Sequence, residues 1–132
     1  MVQETGERSL EAIEGSNWGE PPAEATRVMA SVYALRRRPV SGLSTEDLRL
    51  LIGQRVGVEV LVPRALDRLE ADPLAEGDYY PGDLLEAVLR VPAGYWAGHA
   101  GERARLAAVL GRVDAADVDD ELRALIDGFA GR

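Results

Sequence analysis

The chain has 132 residues, with 23 Asp and Glu against 15 basic residues, all of them Arg, for a formal charge of −8. It has no Cys and one His (His99), which excludes disulfide frameworks, thiol nucleophiles, iron–sulfur clusters, thiolate zinc sites and two-His zinc centres. A pI near 4.7 argues against gripping a nucleic-acid backbone and points to a basic partner, if the partner is charged at all.

At 46% hydrophobic residues the chain can close around one core. Residues 1–8 are polar and read as a flexible N-terminus unlike a signal peptide, and residues 9–132 as one domain. Ser9 can cap a brief helix carrying Leu10 and Ile13, stopped by Gly15. The stretch 16–22, with Gly19, Pro21 and Pro22, breaks regular structure, and Trp18 within it reads as an anchor onto the core. Residues 23–38 predict the first long helix, with Val28, Val32 and Leu35 on one face. Arg36, Arg37 and Arg38 fill its last turn, where cations meet the negative end of the dipole. A grip on phosphate or on an acidic partner is the competing use of that triplet.

Ser44 with Asp47 three residues on predicts the next helix start, and Leu48, Leu51 and Ile52 its buried stripe, ending at Gly53 or Gly57. The valines at 58, 60 and 62 alternate as in a strand, but they have no partner strand. We read 58–71 as a helix with Pro63 in its first turn. Asp72-Pro73 ends it, and a loop runs from Leu74 to Gly82. Asp83 with Glu86 reads as a second capping pair, for a helix carrying Leu84, Leu85, Val88 and Leu89 and closed by Pro92. Tyr95, Trp96 and His99 fall in a stretch weakened by Gly94 and Gly98, room for one helical turn. Leu106, Val109, Leu110 and Val113 mark a further helix. Leu122, Leu125, Ile126 and Phe129 mark the last, entered through the acidic run 117–121. The fold class is all-α, a compact bundle of six or seven short helices in a single domain. No apolar run approaches the ~20 residues of a membrane span.

The one dense stretch of chemistry runs from Glu70 to Asp83, with five carboxylates and the adjacent Tyr79 and Tyr80. Three uses compete: paired acids for hydrolysis, oxygen ligands for Ca²⁺ or Mg²⁺, or a recognition surface in which Tyr gives rigid contact area and carboxylates meet Arg or Lys. The EF-hand spacing is absent here, and the run 114–121 lacks the central Gly of such a loop, so we expect no metal. No nucleophile elbow, P-loop or dinucleotide turn accompanies the acids, and the Gly53–Gly57 segment has no strand before it. We therefore expect no cofactor, while a carboxylate enzyme is harder to exclude, since any two acids can converge in the fold; no catalytic residue is nominated. His99 reads as an ordinary surface or partly packed residue and Trp96 with Tyr95 as core. Asp78 or Asp83 as a helix cap, with the two tyrosines covering the core edge, is the structural alternative.

Several segments occur in a characteristic order: Leu10–Gly15, Trp18-Gly19-Glu20-Pro21-Pro22, Leu35–Pro39, Asp47–Gln54, Val62-Pro63, and Asp72-Pro73-Leu74-Ala75-Glu76-Gly77-Asp78-Tyr79-Tyr80-Pro81-Gly82-Asp83-Leu84-Leu85. Over about residues 9–97 this resembles the immunity proteins of bacterial contact-dependent growth inhibition systems. Arg55 departs from a second Gln expected after Gln54, residues 93–101 are richer in Gly, and the tail after Gly111 matches nothing. The resemblance implies a helical, cytoplasmic, non-enzymatic antidote. Its partner would be the cognate C-terminal toxin domain, a basic nuclease in the expected case, with no nucleic acid, membrane or small-molecule substrate. Charge complementarity then nominates Glu70, Asp72, Glu76, Asp78, Tyr79 and Tyr80, with Asp83 and Glu86 beside them, as the toxin-binding surface. The equally acidic run 114–121 is the rival surface. The alternatives are a small carboxylate-dependent enzyme and a helical adaptor or regulatory domain.

Overall fold

A computed structural model describes residues 8–131, so the expectation for residues 1–7 lies outside the described residues. The all-α expectation holds: the described residues form eight α-helices, two 3-10 turns and no strand. The helices are α1 (Leu10–Glu14), α2 (Arg27–Leu35), α3 (Thr45–Gly53), α4 (Val58–Ala71), α5 (Asp83–Leu89), α6 (Ala93–Ala97), α7 (Ala100–Leu110) and α8 (Asp120–Ala130). The short turn α6 takes the count beyond six or seven.

Local chemistry sets most of the boundaries. The Ser9 hydroxyl accepts the Ala12 amide at 3.1 Å, and Gly15 closes α1 at φ +66°. Ser44 and Asp47 form a reciprocal capping box at 3.0 and 2.9 Å that opens α3. Between α3 and α4, Gly57 takes φ +65°, and a Cβ there would lie 2.7 Å from the Leu10 side chain. The missing Cβ is what lets α1 press onto the start of α4.

Four expectations need correcting. The first long helix begins at Arg27, not residue 23, because the Thr26 hydroxyl caps the Met29 amide after a turn closed by Pro22 and Ala25. Val28 on it is exposed, so its buried stripe is Val32 and Leu35 alone. That helix ends at Leu35, so the three arginines lie beyond its last turn and diverge to different carboxylates. Finally, Pro63 sits inside α4, five residues after its start. The helix runs through it, although a proline there has no amide for the Glu59 carbonyl.

The core sits where α3, α4 and α5 pack together; α2 closes against α3, α7 against α4 and α8 against α5. Leu61, Val62, Ala65, Leu66 and Leu69 bury a broad face of α4. Every residue of α5 except Glu86 is buried, which makes α5 the central rod of the bundle. Trp96 is buried as expected, stacked on Tyr95 at 5.1 Å and edge-on to Phe129 at 5.5 Å. Trp18 anchors its loop differently from expectation. It remains 41% exposed, edge-on to Tyr33 at 5.3 Å, with the Arg36 guanidinium 4.1 Å over its ring.

Candidate functional site

The connection from α4 to α5 carries the acidic stretch, and its own hydrogen bonds shape it. Asp72 ends α4, its carboxylate accepts the Leu74 amide at 3.1 Å, and its carbonyl accepts Ala75 at 3.0 Å. The Gly82 amide donates to the Leu74 carbonyl at 3.1 Å, and Glu76 bridges Pro81, so both ends of the loop are drawn together. Gly82 takes φ +93° and occupies the N-cap of α5, with no room for a Cβ against Leu122.

Two inward carboxylates organise the middle of the loop. Asp83 is 3% exposed, and its oxygens accept the amides of Gly77 at 2.7 Å, Tyr79 at 3.1 Å and Tyr80 at 3.5 Å. Glu46, on α3, accepts the intervening Asp78 amide at 2.9 Å. Four successive backbone donors, 77 to 80, thus converge on two side chains. A Cβ on Gly77 would sit 2.5 Å from Glu46 Oε1 and 3.0 Å from Asp83 Oδ2, so a side chain there would displace the carboxylates that hold the loop. Glu46 is also held bidentately by Arg49, whose Nε and guanidinium Nη2 donate at 2.7 and 2.6 Å. The Arg49 hydrogen bond, with help from the Asp78 amide, lowers the Glu46 pKa below the usual carboxylate value against the opposing effect of burial. Arg49 in turn lies 4.6 Å over the Tyr79 ring, which is 69% exposed.

The eight nominated residues therefore divide. Asp72, Glu76, Asp78 and Tyr79 are exposed on the loop, and the three acids make no ion pair among the described residues. Glu70 is exposed but engaged: Arg105 pairs with it at 2.7 Å and lowers its pKa, and Arg112 donates to its carbonyl. Tyr80 is half-buried; burial and a hydrogen bond to Glu86 raise its phenol pKa well above the ordinary value. Glu86 also pairs with Arg90 at 3.8 Å. Asp83 corrects the sequence reading: it is the first residue of α5, not a cap paired with Glu86, and it faces the loop backbone rather than solvent. Glu46, Arg49 and Gly77 escaped the sequence reading; a Glu–Arg pair three apart on α3 was their only local trace.

Elsewhere, a groove of about 610 Å³ lies between α6, α7 and α8, lined by Trp96, Ala104, Ala107, Leu110, Ile126 and Phe129, with Arg103 at its wall. No carboxylate lines it, so it brings no acid pair together. His99 is partly buried, its Nδ1–H donating to the Tyr95 carbonyl at 2.6 Å. Among the described residues no group of three or more His, Asp or Glu is placed to hold a metal ion, and no helix is long and apolar enough to cross a membrane.

The family model of CDI (contact-dependent growth inhibition) immunity proteins matches residues 12–106, more than half of the chain. The chain belongs to the CDI immunity protein family. No curated protein matches it. As a CDI immunity protein it has a toxin protein as its partner. The matched segment spans α2 to α6, most of α1 and α7, and the whole locked loop; the acidic run 114–121 and α8 lie beyond it.

Proposed function

We propose that this immunity protein neutralises its cognate toxin by seating the loop 72–80 on a basic surface of the toxin, in the cytoplasm and without catalysis. The observation that carries this reading is the loop's charge arrangement. Asp72, Glu76 and Asp78 are exposed together on one loop and lack cationic partners within the described chain, whereas half of the other exposed acids, Glu14, Glu20, Asp67, Glu70, Asp120 and Glu121, face an arginine. Beside them stands an exposed, rigidly mounted Tyr79, the residue type that dominates interface energetics. A nuclease must present Lys and Arg to bind phosphate, and an acidic surface can occupy that region. A nuclease toxin is therefore the partner class this surface suits.

The rival acidic run supports the choice by contrast. Asp114 and Asp119 serve as caps for the Ala116 and Leu122 amides, Asp120 pairs with Arg123, and Glu121 pairs with Arg90. Four of the five acids in that run thus have an intramolecular partner, whereas of the three exposed loop acids only Asp72 does, through the Leu74 amide. A carboxylate-dependent enzyme finds less support, because the groove lacks acids and the loop's inward acids are engaged by backbone amides and Arg49.

Charge reversal of the three exposed acids (Asp72→Lys, Glu76→Lys, Asp78→Lys) is expected to weaken binding of the toxin domain encoded beside this chain by about a hundredfold or more in titration calorimetry. Wild-type affinity in that variant would move the interface elsewhere.

A further inference from the structure

The loop presents Tyr79 and its acidic neighbours in one described conformation, held by the buried Asp83 and the partly buried Glu46. Asp83 is too buried to touch a partner, yet both of its oxygens are engaged by loop amides. Glu46 reaches the same loop from α3, 32 residues earlier in the chain, and fixes the Asp78 amide while orienting Arg49 over the Tyr79 ring. Gly77 leaves just enough room for the two carboxylates to approach.

We propose that Asp83 and Glu46 are positioning residues that hold the 77–80 backbone, and through it Tyr79, in the form that meets the toxin. This rests on the reading of the loop as the toxin-facing surface. The partner that fits is a basic surface with a recess for one phenol ring. Arg49 covers one side of that ring, and the unpaired Glu76 and Asp78 precede it in the chain. A binding loop that is only partly in its competent form loses apparent affinity in proportion to the missing population. Amide donors satisfied by carboxylates keep that population high, since charge-assisted hydrogen bonds are stronger than bonds to water-exposed neutral groups.

The test is a double-mutant cycle read as Kd for the purified C-terminal toxin domain encoded beside this chain, with Asp83→Asn, Tyr79→Ala and the double variant. An Asn side chain can accept the Gly77 amide but turns an NH₂ toward the other donors, so the loop loosens while the volume at α5 is kept. Each single variant is expected to raise Kd about tenfold or more, and the double variant little further, because Asp83 acts through the placement of Tyr79. Glu46→Ala, outside α5, is expected to weaken binding in the same way. In the free chain, both Asp83→Asn and Glu46→Ala are expected to speed amide exchange at 77–80 while leaving the helical circular dichroism intact.

If Asp83→Asn and Glu46→Ala bind at wild-type affinity while Tyr79→Ala is weakened, the positioning role is wrong and the toxin-facing loop stands. Strictly additive effects in the cycle would also overturn it. If Tyr79→Ala leaves affinity unchanged, the loop reading fails, and the positioning role falls with it.

Discussion

Arg36 is the residue whose role departs most from its type. At 1% exposure it donates to the Glu14 carboxylate at 2.9 Å and twice to the Ser16 carbonyl, and it lies over Trp18, so it joins α1, the following loop and α2. A charged residue in a run of three reads locally as solvent-facing; its partners are about twenty residues away and come together only in the fold. Asp83 departs from its local pattern for a related reason. An Asp followed three residues later by Glu is the capping pattern, but Gly82 takes the cap position and frees the carboxylate to face backward. We predict that Arg36→Ala lowers stability by about 1–3 kcal/mol, less than a fully buried pair because Glu14 remains partly exposed. Thermal unfolding would measure it, with a red shift of Trp18 emission as the local sign.

The locked loop also carries a pH dependence. The folded Glu46 pKa is depressed below the ordinary glutamate value of 4.5, chiefly by the Arg49 hydrogen bond, so its contribution is present above that value and is lost as pH falls through the lower folded pKa. Acidification through that lower pKa should therefore release the Asp78 amide and loosen the loop. Glu46→Gln should flatten this part of the stability-against-pH curve. Identical acid profiles for the two proteins would contradict the assignment.

Among the elements, legibility follows the range of the chemistry. The limits of α1 and α3 depend on groups within three residues of each other, Ser9 with Ala12 and Ser44 with Asp47, and they are readable. The start of α2 is not, because Ala23, Glu24 and Ala25 are compatible with a helix and only the turn at Pro22 and the Thr26 hydroxyl delay it. The helical reading of 58–71 holds because the valines at 58, 60 and 62 have no strand to pair with, and burial of Leu61, Val62, Ala65, Leu66 and Leu69 decides in favour of the 3.6-residue period. Pro63 is the weak point of α4. Restoring an amide there is expected to stabilise the chain: Pro63→Ala should raise the melting temperature, by about 1 kcal/mol or more in free energy. A lower melting temperature would mean that the fixed φ of proline in the unfolded chain outweighs the recovered hydrogen bond.

For the whole molecule, net charge becomes informative only once its distribution is known. Four arginines tie elements together: Arg36 to Glu14, Arg38 to Asp47, Arg90 to Glu121, and Arg105 to Asp67 and Glu70. This pairing leaves part of the −8 charge as uncompensated carboxylates on a loop whose backbone is fastened from below. The acidic stretch was visible in the sequence as a candidate surface. Which of its members face outward was not, because burial of Asp83, engagement of Glu70 by α7 and the reach of Glu46 are properties of packing between distant segments.

The most direct test of acidic capture is the association rate of the toxin domain with this immunity protein, measured by stopped flow at increasing salt. Surface charges are screened beyond about 10 Å at 0.1 M salt, so electrostatic steering predicts a steep fall in the on-rate. The slope should be distinctly shallower for the variant carrying Asp72→Asn, Glu76→Gln and Asp78→Asn. An on-rate independent of salt, or an unchanged slope in that variant, would contradict the account.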